Sequence, residues 1–303
     1  MGIRQHIFGI GAYLLALLIL STGTLQFFEP HTTIDTQAAV NQHFHFDYDH
    51  VREKGPYLNL KAAVLVNYDN GEVLYSKHGD DVRPIASISK LISAMVILDA
   101  GIDLDHNTET ITKADAYRSS KSRLTVGSQM TLRDLLHAML LCSDNRAARA
   151  LARATAGSID AFAALMNKKA AELGLSHSRF YEPSGLDQRN VSTAIEVAKM
   201  LHYAFEYPTI AKITSKKRYE ATYLNRKRYN KLPMGNTNLL IWSPYKVMAG
   251  KTGYIQASDY CLGTIVRNKT GQRLTAVVLG VPGDKLRFKE ARKLLNWGFK
   301  ETT

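Results

Sequence analysis

Strand-like segments lie at both ends of this 303-residue chain, and a long helical block separates them. Near the start, residues 62–66 and 72–75 are apolar runs joined by a short polar turn. Near the end, three further runs cover residues 247–253, 260–266 and 273–280, with short connections that suit antiparallel pairing. We therefore predict an α/β fold of the α+β type, in which both chain ends build one antiparallel sheet flanked by helices.

The block between these strands shows helical periodicity. Thr131 and Asp134 form a capping-box pattern before an apolar stripe that ends at Ser143. Further helices are predicted over residues 158–173 and 192–207. The sheet is thus expected to carry an inserted, all-helical lobe.

Three short polar motifs fall near the predicted boundary between sheet and lobe, where ligand clefts commonly form. They are Ser87-Ile88-Ser89-Lys90, Ser143-Asp144-Asn145 and Lys251-Thr252-Gly253. A serine hydroxyl is a weak nucleophile at neutral pH, so it needs a nearby base, a proton path and a cation to hold an anionic substrate. The three motifs contain these groups, in a combination typical of class A β-lactamases and penicillin-binding proteins.

Two of the motifs have competing copies, and context separates them. Ser87 opens a helix-period apolar stripe, whereas Ser243, which begins a second S-x-x-K sequence, is followed almost at once by a strand. The second K-T-G sequence, at residues 269–271, lies in a polar turn between two strands. Ser143-Asp144-Asn145 has no competitor, although alone it could be a turn between helices.

The residue types define a serine-based mechanism. Ser87 is the predicted nucleophile at a helix N-terminus, and Lys90, one turn on, is the predicted base. Burial and the nearby Lys251 are expected to lower the pKa of Lys90. Ser143 can pass the proton to a leaving amine, and Asn145 can hold a substrate amide.

The N-terminus resembles an export signal. Arg4 precedes an apolar run from Ile7 to Leu20, so residues 1–29 are predicted to be a signal peptide or an uncleaved anchor. Either outcome places the rest of the chain outside the cytoplasm. Residues 30–56 are expected to be a linker, and residues 57–300 the folded domain.

The chain is basic, with 39 Lys and Arg residues against 27 Asp and Glu residues and a formal charge of +12. This charge favours anionic surroundings, and export argues against nucleic acid as the partner. The densest basic stretch, residues 216–231, alternates charged residues with tyrosines, a pattern that favours an exposed two-stranded ribbon.

Neither a disulfide nor a metal site is favoured. Cys142 and Cys261 each lie among apolar neighbours, so two free thiols are expected, although an oxidising compartment would permit a bridge. A cluster near the start has metal-like composition but no organised ligand spacing: His43, His45, Asp47, Asp49 and His50. We expect no metal and no cofactor.

Four segments carry a family resemblance: Arg83 to Leu91, Glu182 to Leu186, Asn236 to Asn238, and Lys251 to Tyr254. With them, residues 57–300 resemble the D-alanyl-D-alanine carboxypeptidase and endopeptidase family, the low-molecular-mass penicillin-binding proteins. The run around Ser87 is most similar to the endopeptidase branch. The larger carboxypeptidases carry an extra β-rich domain and a C-terminal amphipathic helix, so the chain resembles the short form.

The resemblance implies a β-lactamase/transpeptidase-like fold and an acyl-enzyme on Ser87. It implies that Lys251, Thr252 and Gly253 bind the substrate carboxylate, and that the backbone N–H groups of Ser87 and Tyr254 form an oxyanion hole. The implied partners are peptidoglycan stem peptides, with β-lactam antibiotics as covalent inhibitors, in the periplasm. Association with the membrane would occur through the N-terminal segment.

Two rival functions remain from the sequence. A class A β-lactamase would need an E-x-x-L-N sequence, and the nearest candidate, Glu182 to Leu186, lacks it. A non-catalytic wall-binding module would not need the catalytic groups. Within the peptidase interpretation the motifs serve either a carboxypeptidase or an endopeptidase, and the similarity around Ser87 favours the endopeptidase.

Overall fold

The computed structural model describes residues 44–49, 51, 55–117 and 122–302. The predicted signal peptide or anchor at residues 1–29 lies outside this part of the chain. Within the described part, no helix has both the length and the apolar character needed to cross a membrane.

The chain forms eleven strands and seven α-helices over the described residues. The strands are β1 (Ala62–Asn67), β2 (Val73–Lys77), β3 (Arg83–Pro84), β4 (Thr108–Thr110), β5 (Gln129–Thr131), β6 (Val191–Ser192), β7 (Arg218–Thr222), β8 (Lys231–Gly235), β9 (Lys246–Ile255), β10 (Asp259–Arg267) and β11 (Arg273–Val281). The α-helices are α1 (Lys90–Asp99), α2 (Leu132–Leu141), α3 (Asn145–Ala156), α4 (Ile159–Glu172), α5 (Ala194–Phe205), α6 (Pro208–Thr214) and α7 (Asp284–Glu301).

A five-stranded sheet is built from both ends of the chain, as predicted. Its strand order is β2-β1-β11-β10-β9, and every neighbouring pair is antiparallel. The first and last parts of the domain meet where β1 pairs with β11, with Val64 opposite Val277. Strand β9, which carries Lys251, therefore lies at one edge of the sheet.

Each face of the sheet is covered by helices. Alternating side chains divide between two cores, so Val64 faces the helical block whereas Leu65 faces α7. Helix α7 can approach closely because Gly298 has no side chain: a Cβ there would lie 2.3 Å from Leu65 Cδ2. Burial of each such valine or leucine contributes about 1.5–3 kcal/mol, which makes the two cores the main source of stability.

The predicted capping box at α2 is only half formed. The Thr131 hydroxyl caps the helix by accepting from the Asp134 backbone N–H at 3.1 Å. The Asp134 carboxylate does not complete the box; it accepts from the Tyr219 hydroxyl at 2.6 Å and from the Thr222 N–H at 2.8 Å. Asp134 thereby fastens the predicted basic ribbon, β7–β8, to the helical block.

Two helices were not predicted. Helix α3 begins at Asn145, where the Asp144 carboxylate caps it by accepting from the N–H groups of Arg146 and Ala147. Its buried face consists largely of alanine, so it lacks the bulky apolar stripe that identified the other helices. Helix α6 starts at Pro208, which suits the first turn of a helix as well as it ends the preceding one.

Part of the predicted linker packs against the domain. The sequence predicts a linker over residues 30–56, whereas Phe46 is 4% exposed and the Asp47 backbone pairs with Gly71 and Val73. The Phe44 N–H also contacts the Tyr203 hydroxyl at 3.3 Å. The polar composition of this segment gave no sign of packing, because few of its described residues are apolar: Phe46 is in the core, and Phe44 and Val51 pack against it.

Candidate active site

The predicted nucleophile lies where the sheet meets the helical block. Ser87 is in a 3₁₀ turn, Ala86–Ser89, that continues into α1. Lys90 is the first residue of that helix, and its Nζ lies 2.8 Å from Ser87 Oγ. Ala86, directly before the nucleophile, has a φ of +49°, a strained conformation for a residue with a side chain. The structure thus brings nucleophile and predicted base together.

Lys90 is completely buried and makes three polar contacts. Its ammonium group contacts Ser87 Oγ, Asn145 Oδ1 at 2.7 Å and the Ser184 carbonyl oxygen. Burial lowers the pKa of Lys90 to about 7, against the opposing effect of Glu182 and Asp144. A neutral amine is therefore accessible near neutral pH.

Lys251 is the second buried cation. It is 1% exposed, and its Nζ donates to Ser143 Oγ at 2.7 Å and to the Thr252 carbonyl at 2.9 Å. Burial lowers the pKa of Lys251 well below its usual value, and repulsion from Lys90 lowers it further. The sequence predicts that Lys251 lowers the pKa of Lys90, and repulsion between two buried cations acts on both of them. Arg149 is a further cation that lowers the pKa of Lys90.

The Ser143-Asp144-Asn145 motif joins the helical block to both lysines. Ser143 lies between α2 and α3 with a φ of +61°, and its hydroxyl meets Lys251. Asn145, predicted to hold a substrate amide, also orients the base, because its Oδ1 accepts from Lys90. The motif does form a turn between two helices, and the same turn places Ser143 and Asn145 in the site.

Sequence reasoning missed the contribution of a loop between α4 and β6. The Ser184 carbonyl accepts from both Ser87 Oγ, at 3.2 Å, and Lys90 Nζ. The Glu182 carboxylate holds this loop by accepting from the Ser184 and Leu186 N–H groups at 2.9 and 2.7 Å. Gly185 has a φ of +77°, and a Cβ there would lie 2.0 Å from the Ala86 carbonyl oxygen. The Glu182 to Leu186 segment marked the family resemblance, but a backbone acceptor has no signature of its own in the sequence.

The end of β9 lies directly against the nucleophile. A Cβ at Gly253 would be 2.7 Å from the Ile85 carbonyl oxygen and 3.3 Å from the Ser87 nitrogen. Thr252 is 4% exposed, and its hydroxyl meets that of Thr237 at 2.7 Å. Tyr254 is 47% exposed and ends the row of predicted substrate-binding residues. The strand can therefore present Lys251, Thr252 and its backbone to a substrate beside Ser87.

The competing motif copies lie elsewhere. Ser243 ends a 3₁₀ helix, Leu239–Trp242, and Lys246 is exposed at the start of β9. Lys269 to Gly271 forms the β10–β11 turn. Cys142 and Cys261 are free thiols. Among the described residues no group of three or more His, Cys, Asp or Glu could hold a metal, and His43 and His50 lie outside them.

Comparison with known proteins agrees with this geometry. Residues 49–283 match the sequence profile of the D-alanyl-D-alanine carboxypeptidase family. The chain belongs to this family. It is therefore a serine hydrolase of the D-alanyl-D-alanine peptidase type, with the penicillin-binding protein fold that the resemblance implied.

Relatives named as endopeptidase, carboxypeptidase or transpeptidase each align with most of this chain. It is 37% identical to the D-alanyl-D-alanine endopeptidase of Escherichia coli K12, over 80% of this chain and 78% of that protein. It is 34% identical to the D-alanyl-D-alanine carboxypeptidase DacF of Bacillus subtilis 168, over 80% and 62% of the two chains. The crystal structure of the Streptomyces K15 DD-transpeptidase superposes with a TM-score of 0.74 at 28% identity, over 82% and 99% of the two chains.

Proposed function

We propose that the chain cleaves D-alanyl peptide bonds in peptidoglycan stem peptides through an acyl-enzyme on Ser87. The observation that carries this proposal is the buried Lys90 amine, 2.8 Å from the Ser87 hydroxyl with a pKa of about 7. An adjacent base activates a serine hydroxyl as a nucleophile, and the family membership agrees with a serine-based mechanism.

Acylation begins when neutral Lys90 accepts the Ser87 proton as Oγ attacks the D-alanine carbonyl. The C–N bond breaks, and the proton that Lys90 accepted passes through Ser143 to the leaving amine, which restores neutral Lys90. The backbone N–H groups of Ser87 and Tyr254 stabilise the oxyanion, each such donor contributing about 3 kcal/mol. Water then hydrolyses the ester and regenerates Ser87.

Lys251 and Thr252 bind the carboxylate next to the scissile nitrogen. A buried ammonium and a neighbouring hydroxyl can both donate hydrogen bonds to a carboxylate, and a charge-assisted hydrogen bond is about twice as strong as a neutral one. The arriving negative charge also raises the affinity of Lys251 for its proton, so substrate and charged lysine stabilise each other.

A β-lactamase function is less well supported. Glu182 is the acidic residue nearest in sequence to the pattern that a β-lactamase needs, but its carboxylate oxygens already accept hydrogen bonds within their own loop. Glu182 therefore organises the Ser184 carbonyl rather than a deacylating water. We expect penicillin to form a long-lived ester with Ser87 and to act as an inhibitor.

Among the bonds available, we propose the cross-link between D-alanine and diaminopimelate. Sequence identity supports this choice, since the endopeptidases of Escherichia coli and Pseudomonas aeruginosa are 37% and 36% identical to this chain. The apolar run from Ile7 to Leu20 supports export, which would place the enzyme in the periplasm, with membrane association through that segment if it is retained.

The test is mass spectrometry of muropeptides incubated with the purified enzyme, wild type beside Ser87→Ala. We expect cross-linked dimers to become monomers, with a loss of at least about a thousandfold in Ser87→Ala. Ser243→Ala is a matched control, since it removes the serine of the competing S-x-x-K copy and should retain full activity. Conversion of pentapeptides to tetrapeptides would instead identify a carboxypeptidase, and dimer cleavage that survives Ser87→Ala would refute the mechanism.

A further inference from the structure

A cleft of about 480 Å³ opens between the segment around Arg123 and the β7–β8 ribbon. Its lining includes Arg123, Arg218, Glu220, Met234 and Gly235. The two guanidinium groups outnumber the single carboxylate, and the buried Met234 supplies an apolar wall. The cleft is thus chemically suited to an anionic group on a partly apolar chain.

Two residues that line the cleft contact the Ser143-Asp144-Asn145 motif or the residue directly before it. The Arg123 N–H donates to the Asp144 carboxylate at 3.2 Å, next to Ser143. On the opposite wall, the Gly235 carbonyl contacts the Cys142 thiol at 3.6 Å. The positive charges of Arg123 and Lys251 both act to lower the pKa of that thiol, although its burial raises the pKa overall. Arg123 and Lys251 are therefore both close enough to Cys142 to act on its thiol.

The two arginines are presented differently. The Arg123 side chain bridges the cleft, because its Nη1 donates to the Pro233 carbonyl at 2.7 Å. Arg218 is exposed at the start of β7, beside the ring of Trp242 at 6.0 Å. An arginine fork matches the two oxygens of a carboxylate, and its affinity for one is greatest where water is partly excluded.

We propose that this cleft is a subsite for a second peptide carboxylate, distinct from the one bound by Lys251 and Thr252. The proposal rests on the proposed function, and it assigns Arg218 and Arg123 to specificity rather than to chemistry. Stem peptides carry carboxylates besides the one next to the scissile nitrogen, so a substrate extended along the site can reach both positions.

The test compares two substrates that differ only in charge. One is a cross-linked muropeptide dimer, and the other is the same dimer with its carboxylates amidated except at the position next to the scissile nitrogen. We expect Arg218→Gln to lose about tenfold in kcat/KM on the first, mainly through KM, and less than twofold on the second. Arg228→Gln is the matched control, because it removes the same charge from the ribbon outside the cleft lining and should leave both values unchanged.

Each other outcome overturns the subsite. Equal losses on the two substrates would show that Arg218 contacts no variable carboxylate, and equal losses in Arg218→Gln and Arg228→Gln would reduce the effect to overall charge. If Arg218→Gln left kcat/KM unchanged on both substrates, the cleft would have no role in substrate binding. Penicillin acylation at the wild-type rate confirms that the variants are folded. Failure of the proposed function itself looks different, because wild-type enzyme would then cleave neither dimer.

Discussion

The candidate active site and the aromatic cluster around His202 each contain a completely buried basic side chain, Lys90 in the first and His202 in the second. Burial lowers both pKa values, that of Lys90 to about 7 and that of His202 to about 3. Lys90 Nζ lies beside the Ser87 hydroxyl. His202 donates to or accepts from the Thr275 hydroxyl at 2.8 Å and is surrounded by the rings of Phe44, Phe46 and Tyr68. The same physical cause therefore acts on the proposed catalytic base in one place and on a structural ring in the other.

A perturbed pKa by itself therefore does not identify a catalytic residue. A strongly shifted group is a candidate functional residue, but buried structural groups shift too. The deciding observation is the neighbour: Lys90 has a hydroxyl 2.8 Å away on an accessible residue, and its pKa lies in the range where a base can work. His202 stays neutral at any pH at which the enzyme would act.

The largest expected effect comes from removing the proposed catalytic base, Lys90. Lys90→Met keeps the side-chain volume and removes the charge, so acylation by penicillin should fall by about a thousandfold or more. Stability should stay the same or rise, because a buried ammonium is replaced by an apolar group. Stopped-flow acylation and urea unfolding measure the two effects, and retention of a tenth of the acylation rate would exclude Lys90 as the base.

The pH profile sharpens the same assignment. Because Lys90 must be neutral to accept a proton, the second-order rate of penicillin acylation should rise with pH through about 7, following the pKa of Lys90. The rate is to be measured from pH 5 to pH 9 with a neutral-side-chain penicillin. A rate that decreases over the acidic half of this range would mean that the charged lysine is the active form.

For His202 the expected effect is on the pH dependence of the free energy of unfolding. Its pKa is about 3 in the folded protein and about 6.5 when unfolded, so the unfolded state binds the proton first as the pH falls. The stability contributed by neutral His202 is complete above pH 6.5 and decreases by up to about 1.4 kcal/mol per pH unit towards pH 3. Urea unfolding at pH 4.5, 5.5 and 7 should show a shallower dependence in His202→Phe than in wild type.

An exposed histidine provides the control for that experiment. His78→Asn changes a solvent-exposed residue with a positive φ that asparagine tolerates, so the wild-type pH dependence should persist. If His202→Phe and His78→Asn gave the same slope as wild type, the proton affinity of His202 would not differ between the folded and unfolded states.

The smallest effect is expected for exposed charged residues, in contrast to the buried Lys90 and His202. Lys227 and Arg228 lie in the solvent at the tip of the ribbon, where charges are screened and well hydrated. The double substitution Lys227→Gln and Arg228→Gln should change the free energy of unfolding by less than about 0.5 kcal/mol. A change above about 1 kcal/mol in urea unfolding would show that the ribbon's charges are part of the packed structure.

The sequence predicted those features that depend on local pattern. The sheet followed from apolar runs with short connections, and the contact between Ser87 and Lys90 followed from their spacing of one helical turn. Helix α3 was not predicted, because alanine gives a weak amphipathic signal. The roles of Ser184 and Asn145 depend on where distant segments meet, and in the case of Ser184 the acting group is a carbonyl that every residue possesses.

The site is assembled from four separate parts of the chain: α1 with its preceding turn, the α2–α3 turn, the loop between α4 and β6, and β9. The proposed acylation requires all four to be docked at once. A fluorescent penicillin therefore reports on tertiary structure as well as on chemistry, since it labels only molecules in which helical block and sheet are joined. Counting labelled molecules would measure the native fraction of this protein in a crude mixture, without purification.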